Sequence, residues 1–204
     1  MEPDEKYLII PSFSPENKPL GYKSAITANA AMDIAAAVDS LNMYKNILSN
    51  IKPNGYQKTL EKITHLISCL PVYMFDKSGA IKEWSMNEYK ENNAHRHISH
   101  LYCAWPSSET QHNHALASAC RQAINNRNRE NTGKDDTASH GWIHKALVEA
   151  RLKNPEAVYN TLLLLFKSGI FYNTFFTDHN TDRSKGVFLS LIHISEPTRH
   201  LRIS

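Results

Sequence analysis

Between Ser24 and Asn50 apolar residues return every three or four positions, with Ile26, Ala30, Ile34, Ala37, Leu41, Tyr44 and Leu48 on one side of a helical wheel. This spacing predicts a first long helix. Leu60, Ile63, Ile67 and Leu70 repeat it after the turn signal Pro53-Asn54-Gly55, and Pro71, which has no N–H for the helical ladder, closes that segment. From Val72 to Trp84 two short apolar runs flank Asp76-Lys77-Ser78-Gly79, which reads as a small hairpin or loop. Leu116, Ala119, Cys120 and Ala123 mark a third helix. The polar run Asn125 to Asp136 reads as a solvated loop. Trp142, Ile143, Ala146, Leu147 and Ala150 give a fourth apolar face, and Asn154-Pro155 supplies a cap and a first-turn proline for a fifth helix ending near Gly169.

No alternating strand pattern of any length interrupts this order, so the expected class is mainly α, built of consecutive antiparallel helical hairpins joined by short connections. Asn173 to Lys185 is polar and without period. After Phe188 the character changes again. The eleven residues from Leu189 to Arg199 match the in-frame translation of a sequencing adapter, so residues 189–204 are read as an unstructured artefact and residues 1–188 as the biological sequence.

Composition narrows the partners. The chain has 204 residues, 41% of them hydrophobic, with 23 Lys+Arg against 20 Asp+Glu for a formal charge of +3. The small excess is spread along the chain, so no nucleic-acid partner is expected. No window holds the roughly 18 apolar residues of a membrane span. Cys69, Cys103 and Cys120 are an odd set without metal-binding spacing and read as buried small apolar residues. No export signal is read at the N-terminus, and a secreted or periplasmic location is expected only for a parent protein.

Chemistry concentrates in Glu83-Trp84 followed by His95-Arg96-His97-Ile98-Ser99-His100-Leu101-Tyr102. Polar groups at this density are costly to bury unless hydrogen-bonded or used. One reading is a metal, because His-x-His places two imidazoles on one side of an extended segment; the missing nearby carboxylate and the positive Arg96 weigh against it. The other is carbohydrate chemistry. Arg and His donate to sugar hydroxyls, aromatic faces stack on pyranose rings, and a Glu beside Trp84 in an apolar setting keeps its proton near neutrality and is suited to protonate a departing glycosidic oxygen.

Taken with Gly141-Trp142, Ala150-Arg151-Leu152, Pro11-Ser12-Phe13-Ser14-Pro15-Glu16-Asn17 and Met32-Asp33, these blocks resemble, in order, the glycoside hydrolase family 95 catalytic domain of inverting α-L-fucosidases and related α-L-galactosidases. The resemblance spans about Tyr7 to Phe188 and rests most on the His-Arg-His-x-Ser-His-Leu block. It implies an (α/α)6 toroid acting on a glycan substrate without cofactor or metal, with Glu83 as general acid and Glu16, Arg96 and His97 binding the sugar hydroxyls. It also implies a base-side pair of asparagines and an aspartate that have no match here. Six hairpins need about twelve helices, more than 204 residues hold at roughly 11–12 residues per helix plus connections, so an incomplete toroid is expected. Met32 and Ser139-His140 depart from the family pattern and leave the sugar open. Alternatives stand beside each role: Glu83 as a surface partner of Lys82 or Lys77, His97 and His100 as core histidines, Trp142 as packing, Glu16 as a cap. The rival reading of the whole chain is a non-catalytic carbohydrate-binding or scaffold fragment.

Overall fold

A computed structural model describes residues 6–132 and 139–168, together with the backbones of two short strands, Phe176–Asp178 and Phe188–Ser190. Its residues divide into two units, Met1–Thr132 and Gly133–Ser204. Five α-helices dominate: α1 Ala31–Ile51, α2 Tyr56–Cys69, α3 His114–Glu130, α4 Ser139–Arg151 and α5 Pro155–Lys167. The class is mainly α, as the periodicity predicts. Among the described residues, strands form two antiparallel pairs, β1 Ser12–Phe13 with β2 Ile26–Thr27, and β3 Phe176–Asp178 with β4 Phe188–Ser190. Leu189 and Ser190, the first residues of the adapter-like run, end β4; residues 191–204 lie outside the described part.

In the first unit α1 packs on α2 and on a 3-10 segment, Ser99–Cys103. Ile34 and Leu48 of α1 and Ile63 of α2 are buried on the expected faces. Lys52, in the left-handed region at φ +50°, ends α1 by returning its N–H to Leu48 O at 2.8 Å. The helix begins at Ala31, seven residues later than Ser24. Ile26, assigned to it by spacing, pairs with Phe13 in the β1–β2 ladder and is exposed. Asn29 ties the intervening chain to the N-terminal segment, its N–H donating to Ile9 O and its Oδ1 accepting the Ile9 N–H. Asp33, in the first turn of α1, then accepts from the Ser12 hydroxyl and the Phe13 N–H, which ties the β1 loop to the helix.

The 76–79 hairpin forms as expected. Asp76 Oδ1 accepts from Ser78 N–H, Ser78 Oγ and Ala80 N–H, and Gly79 turns the chain at φ +80°. A second correction concerns α3, which runs to Glu130 through residues read as a solvated loop. Leu116, Ala119, Cys120, Ala123, Ile124, Asn126 and Arg127 are all buried, one continuous face at helical spacing. Its N-terminus is capped by Asn113 Oδ1, which accepts from Leu116 N–H at 3.0 Å. The three cysteines are buried and free; Cys103 and Cys120 place their Sγ atoms 3.6 Å apart. In the second unit α4 and α5 pack together, and Asn154 caps α5 with Pro155 in its first turn.

Candidate active site

Glu83 and Trp84 lie at the start of α1. The first helical N–H, from Ala31, has no partner inside the helix and donates to Glu83 O at 2.9 Å. Trp84 bridges to Ala30 and is fully buried, with Tyr89 edge-on at 6.3 Å. The backbone of Glu83 is therefore fixed from two sides, since its own N–H donates to Glu91 Oε2 at 2.8 Å.

The Glu83 side chain is 1% exposed, and its surroundings are polar. Ser14 Oγ donates to Oε1 at 2.6 Å, while Asn17 Nδ2 and Arg127 Nη2 donate to Oε2, each at 2.6 Å. Burial pushes this carboxyl up, but the charges of Arg127 and His100 and the Ser14 and Arg127 hydrogen bonds outweigh it and hold Glu83 below its ordinary range. The resting group is an ionised carboxylate. That differs from the apolar setting the sequence suggests, because Trp84 covers the segment while the loop 14–17 and α3 supply donors.

The same loop carries Glu16 to the His-Arg-His block. Glu16 Oε2 accepts from Arg96 Nη2 and lies 3.5 Å from His97 Nε2. Ser99 Oγ donates to Pro15 O at 2.6 Å and pins the block to the loop. The side chains are 62%, 24% and 13% exposed for Glu16, Arg96 and His97, so the trio reaches the surface at Glu16 while Glu83 does not. A half-exposed ion pair of this kind contributes only about 0–1 kcal/mol to stability. His95 and His97 meet edge to face at 5.3 Å, and His100 is buried. Among the described residues no group of three or more His, Cys, Asp or Glu is arranged to hold a metal ion.

Two site residues escape the sequence reading. Arg127 falls in the polar run that reads as a loop, although it continues the Leu116, Cys120, Ile124 repeat and so belongs to the buried face. Besides Glu83 it donates from Nη1 to Asn92 O, and Asn92 in turn exchanges hydrogen bonds with Asn17. Glu91 is the second. Burial, followed by the charge of Glu83, pushes its carboxyl up to about 7, against the Glu83 N–H, Lys82 and Arg127. The only sequence signal was a third carboxylate, after Glu83 and Glu88, in a segment with a buried tryptophan. Trp142 of α4 is half-buried.

Two comparisons with known proteins bear on this arrangement. Alpha-L-fucosidase 2 of Arabidopsis thaliana is 27% identical over 186 residues, which cover 83% of this chain and 21% of that protein. The chain thus spans about a fifth of the relative's length. Residues 1–188, which contain every element of the site, match the model of the glycosyl hydrolase family 95 catalytic domain, and the chain belongs to that family.

Proposed function

We propose that this chain is part of an inverting glycoside hydrolase that removes terminal α-L-fucosyl, or related α-L-galactosyl, residues from glycans, its hairpins forming part of an (α/α)6 toroid. Glu83 is the general acid, and Glu16, Arg96 and His97 hold the hydroxyls of the sugar. The observation that carries this reading is the loop 14–17: Ser14 and Asn17 bind Glu83 while Glu16 between them meets Arg96 and His97. One turn of chain thereby joins the Glu83 carboxyl to a group of sugar-hydroxyl donors and acceptors that reaches the surface at Glu16. In an inverting reaction the acid protonates the leaving oxygen while water attacks the opposite face of the ring. The name of the plant relative and the family membership point to the same substrate class.

A second reading, a non-catalytic carbohydrate-binding fragment, is favoured by one observation: Glu83 is fully buried and ionised at rest, as a structural ion pair with Arg127 would be. Glu83→Gln in the longer enzyme that carries this chain separates the two. Gln keeps the size and accepts hydrogen bonds but delivers no proton, so glycosides with poor leaving groups should slow by roughly 10²–10⁴-fold. Activated aryl glycosides, whose phenolate departs unaided, should lose far less. Arg96→Ala should impair both substrates alike. Equal losses for the two leaving groups in Glu83→Gln would remove the acid assignment.

A further inference from the structure

Cys103 and Cys120 come from different elements and meet in the core. Cys103 ends the 3-10 segment that follows the His-Arg-His block, Cys120 lies in the middle of α3, and each is 0% exposed. Their Sγ atoms are 3.6 Å apart, which is van der Waals contact between sulfurs; a disulfide needs about 2.05 Å, so closure asks for roughly 1.5 Å of side-chain movement. Both backbones are held. The Ala104 N–H turns back to Leu101 O at 2.9 Å, and Ala119 O, next to Cys120, accepts the Ile81 N–H at 3.3 Å. The third cysteine is turned elsewhere, with Cys69 Sγ 3.6 Å from His65 Nε2, one turn back on α2.

We propose that Cys103 and Cys120 form a disulfide when the chain folds in the presence of a small-molecule disulfide oxidant, and that this bond staples the segment behind the His-Arg-His block to the helix that carries Arg127. The thiolate of one cysteine attacks a sulfur of the oxidant, whose S–S bond breaks and releases one small thiol. The thiolate of the other then attacks the mixed disulfide at the protein sulfur and releases the second small thiol. The two protein S–H protons leave with the released thiols, and the two electrons lost by the protein reduce the oxidant. The bond forms before the core closes. In the folded chain the hydrogen bond with Cys120, followed by burial, pushes the Cys103 thiol well up, so the buried pair offers little thiolate and no access to the oxidant. Once made, the bond joins positions 17 apart and restricts the unfolded chain, so folding and bond formation favour each other. Cys120 lies about two turns before Arg127 on the same buried face of α3, so the staple fixes the helix that brings Arg127 to Glu83. The bond does not depend on Glu83 being the general acid.

Peptide mapping of the 204-residue chain tests the bond. Arg96 and Arg121 are trypsin sites with no Lys or Arg between them, so one peptide, residues 97–121, carries both cysteines. The chain is reduced, refolded from urea in a mixture of reduced and oxidised glutathione, then unfolded and alkylated. The 97–121 peptide should take no alkyl group and weigh less than its reduced form by the mass of two hydrogens, while Cys69 is alkylated. Loops of this size also close in unfolded chain, so the same equilibrium is measured in concentrated urea, where the ratio of disulfide to dithiol should be roughly 10²-fold lower. Alkylation of both cysteines after refolding, a bond from either one to Cys69, or a ratio equal in buffer and in urea overturns the pairing. Cys120→Ala separates a staple from simple packing. It should lower the urea midpoint of chain refolded with oxidised glutathione far more than that of chain refolded under reducing conditions. A loss of equal size in both overturns the staple.

Discussion

Arg127 decides the charge state of the site. A buried carboxylate deprived of its cation typically costs about 3–5 kcal/mol, because the remaining charge has no compensation. Arg127→Met should therefore destabilise the protein by roughly that amount at pH 7.5, measured by urea unfolding. With Arg127 in place the folded pKa of Glu83 is depressed, so its contribution is present above the unfolded carboxyl value of about 4.3 and lost as pH falls through the folded one. Without Arg127, burial dominates and the sign reverses, so the penalty of Arg127→Met should be smaller at pH 5 than at pH 7.5. Glu91 has a raised folded pKa; its proton favours the folded state below about 4.3, and that contribution is lost as pH rises through about 7. Glu91→Gln should flatten the decline in stability between pH 5 and 8. The half-exposed Glu16–Arg96 pair behaves differently, and Arg96→Ala should change stability by less than about 1 kcal/mol.

Among the elements, those defined by short-range signals stand where the sequence puts them. Asn154-Pro155 opens α5 because the Asn154 Oδ1 accepts the Ala157 N–H at 3.3 Å and proline needs no donor there. Asn154 Nδ2 also reaches Glu149 of α4 at 3.0 Å, so the cap joins two helices. Asn154→Ala should cost about 1 kcal/mol, visible as a lower urea midpoint with unchanged slope. The two misplaced boundaries share one cause. Ile26 has helical spacing but is taken into a strand by partners in the 9–13 segment, and Asn125 to Glu130 is polar yet helical because Asn126 and Arg127 find buried partners. Asn126 donates to Ser78 Oγ at 2.9 Å, across from the Asp76 turn.

For the molecule as a whole, no helix among the described residues is long and apolar enough to cross a membrane. Large apolar side chains do remain exposed, notably Met43, Tyr44, Ile47 and Ile51 on α1. A contiguous apolar stripe of this kind favours association. The 204-residue chain should self-associate with rising concentration in sedimentation experiments, and Met43→Lys with Ile47→Lys should suppress this without lowering the urea midpoint. The buried face of the first half of α3, the α5 cap, the 76–79 turn and the residue types of the Glu16, Arg96 and His97 group were legible along the chain, because each depends on neighbours a few positions away or on a motif read in order, whereas Tyr44 and Ala150, assigned to buried faces of α1 and α4, are exposed. The meeting of that group was not legible, nor was the Ser14, Asn17 and Arg127 cage around Glu83, whose members lie 69, 66 and 44 residues from it. The lowered pKa of Glu83 and the raised pKa of Glu91 follow from desolvation set against specific charges at close range, a balance that exists only once the chain has folded.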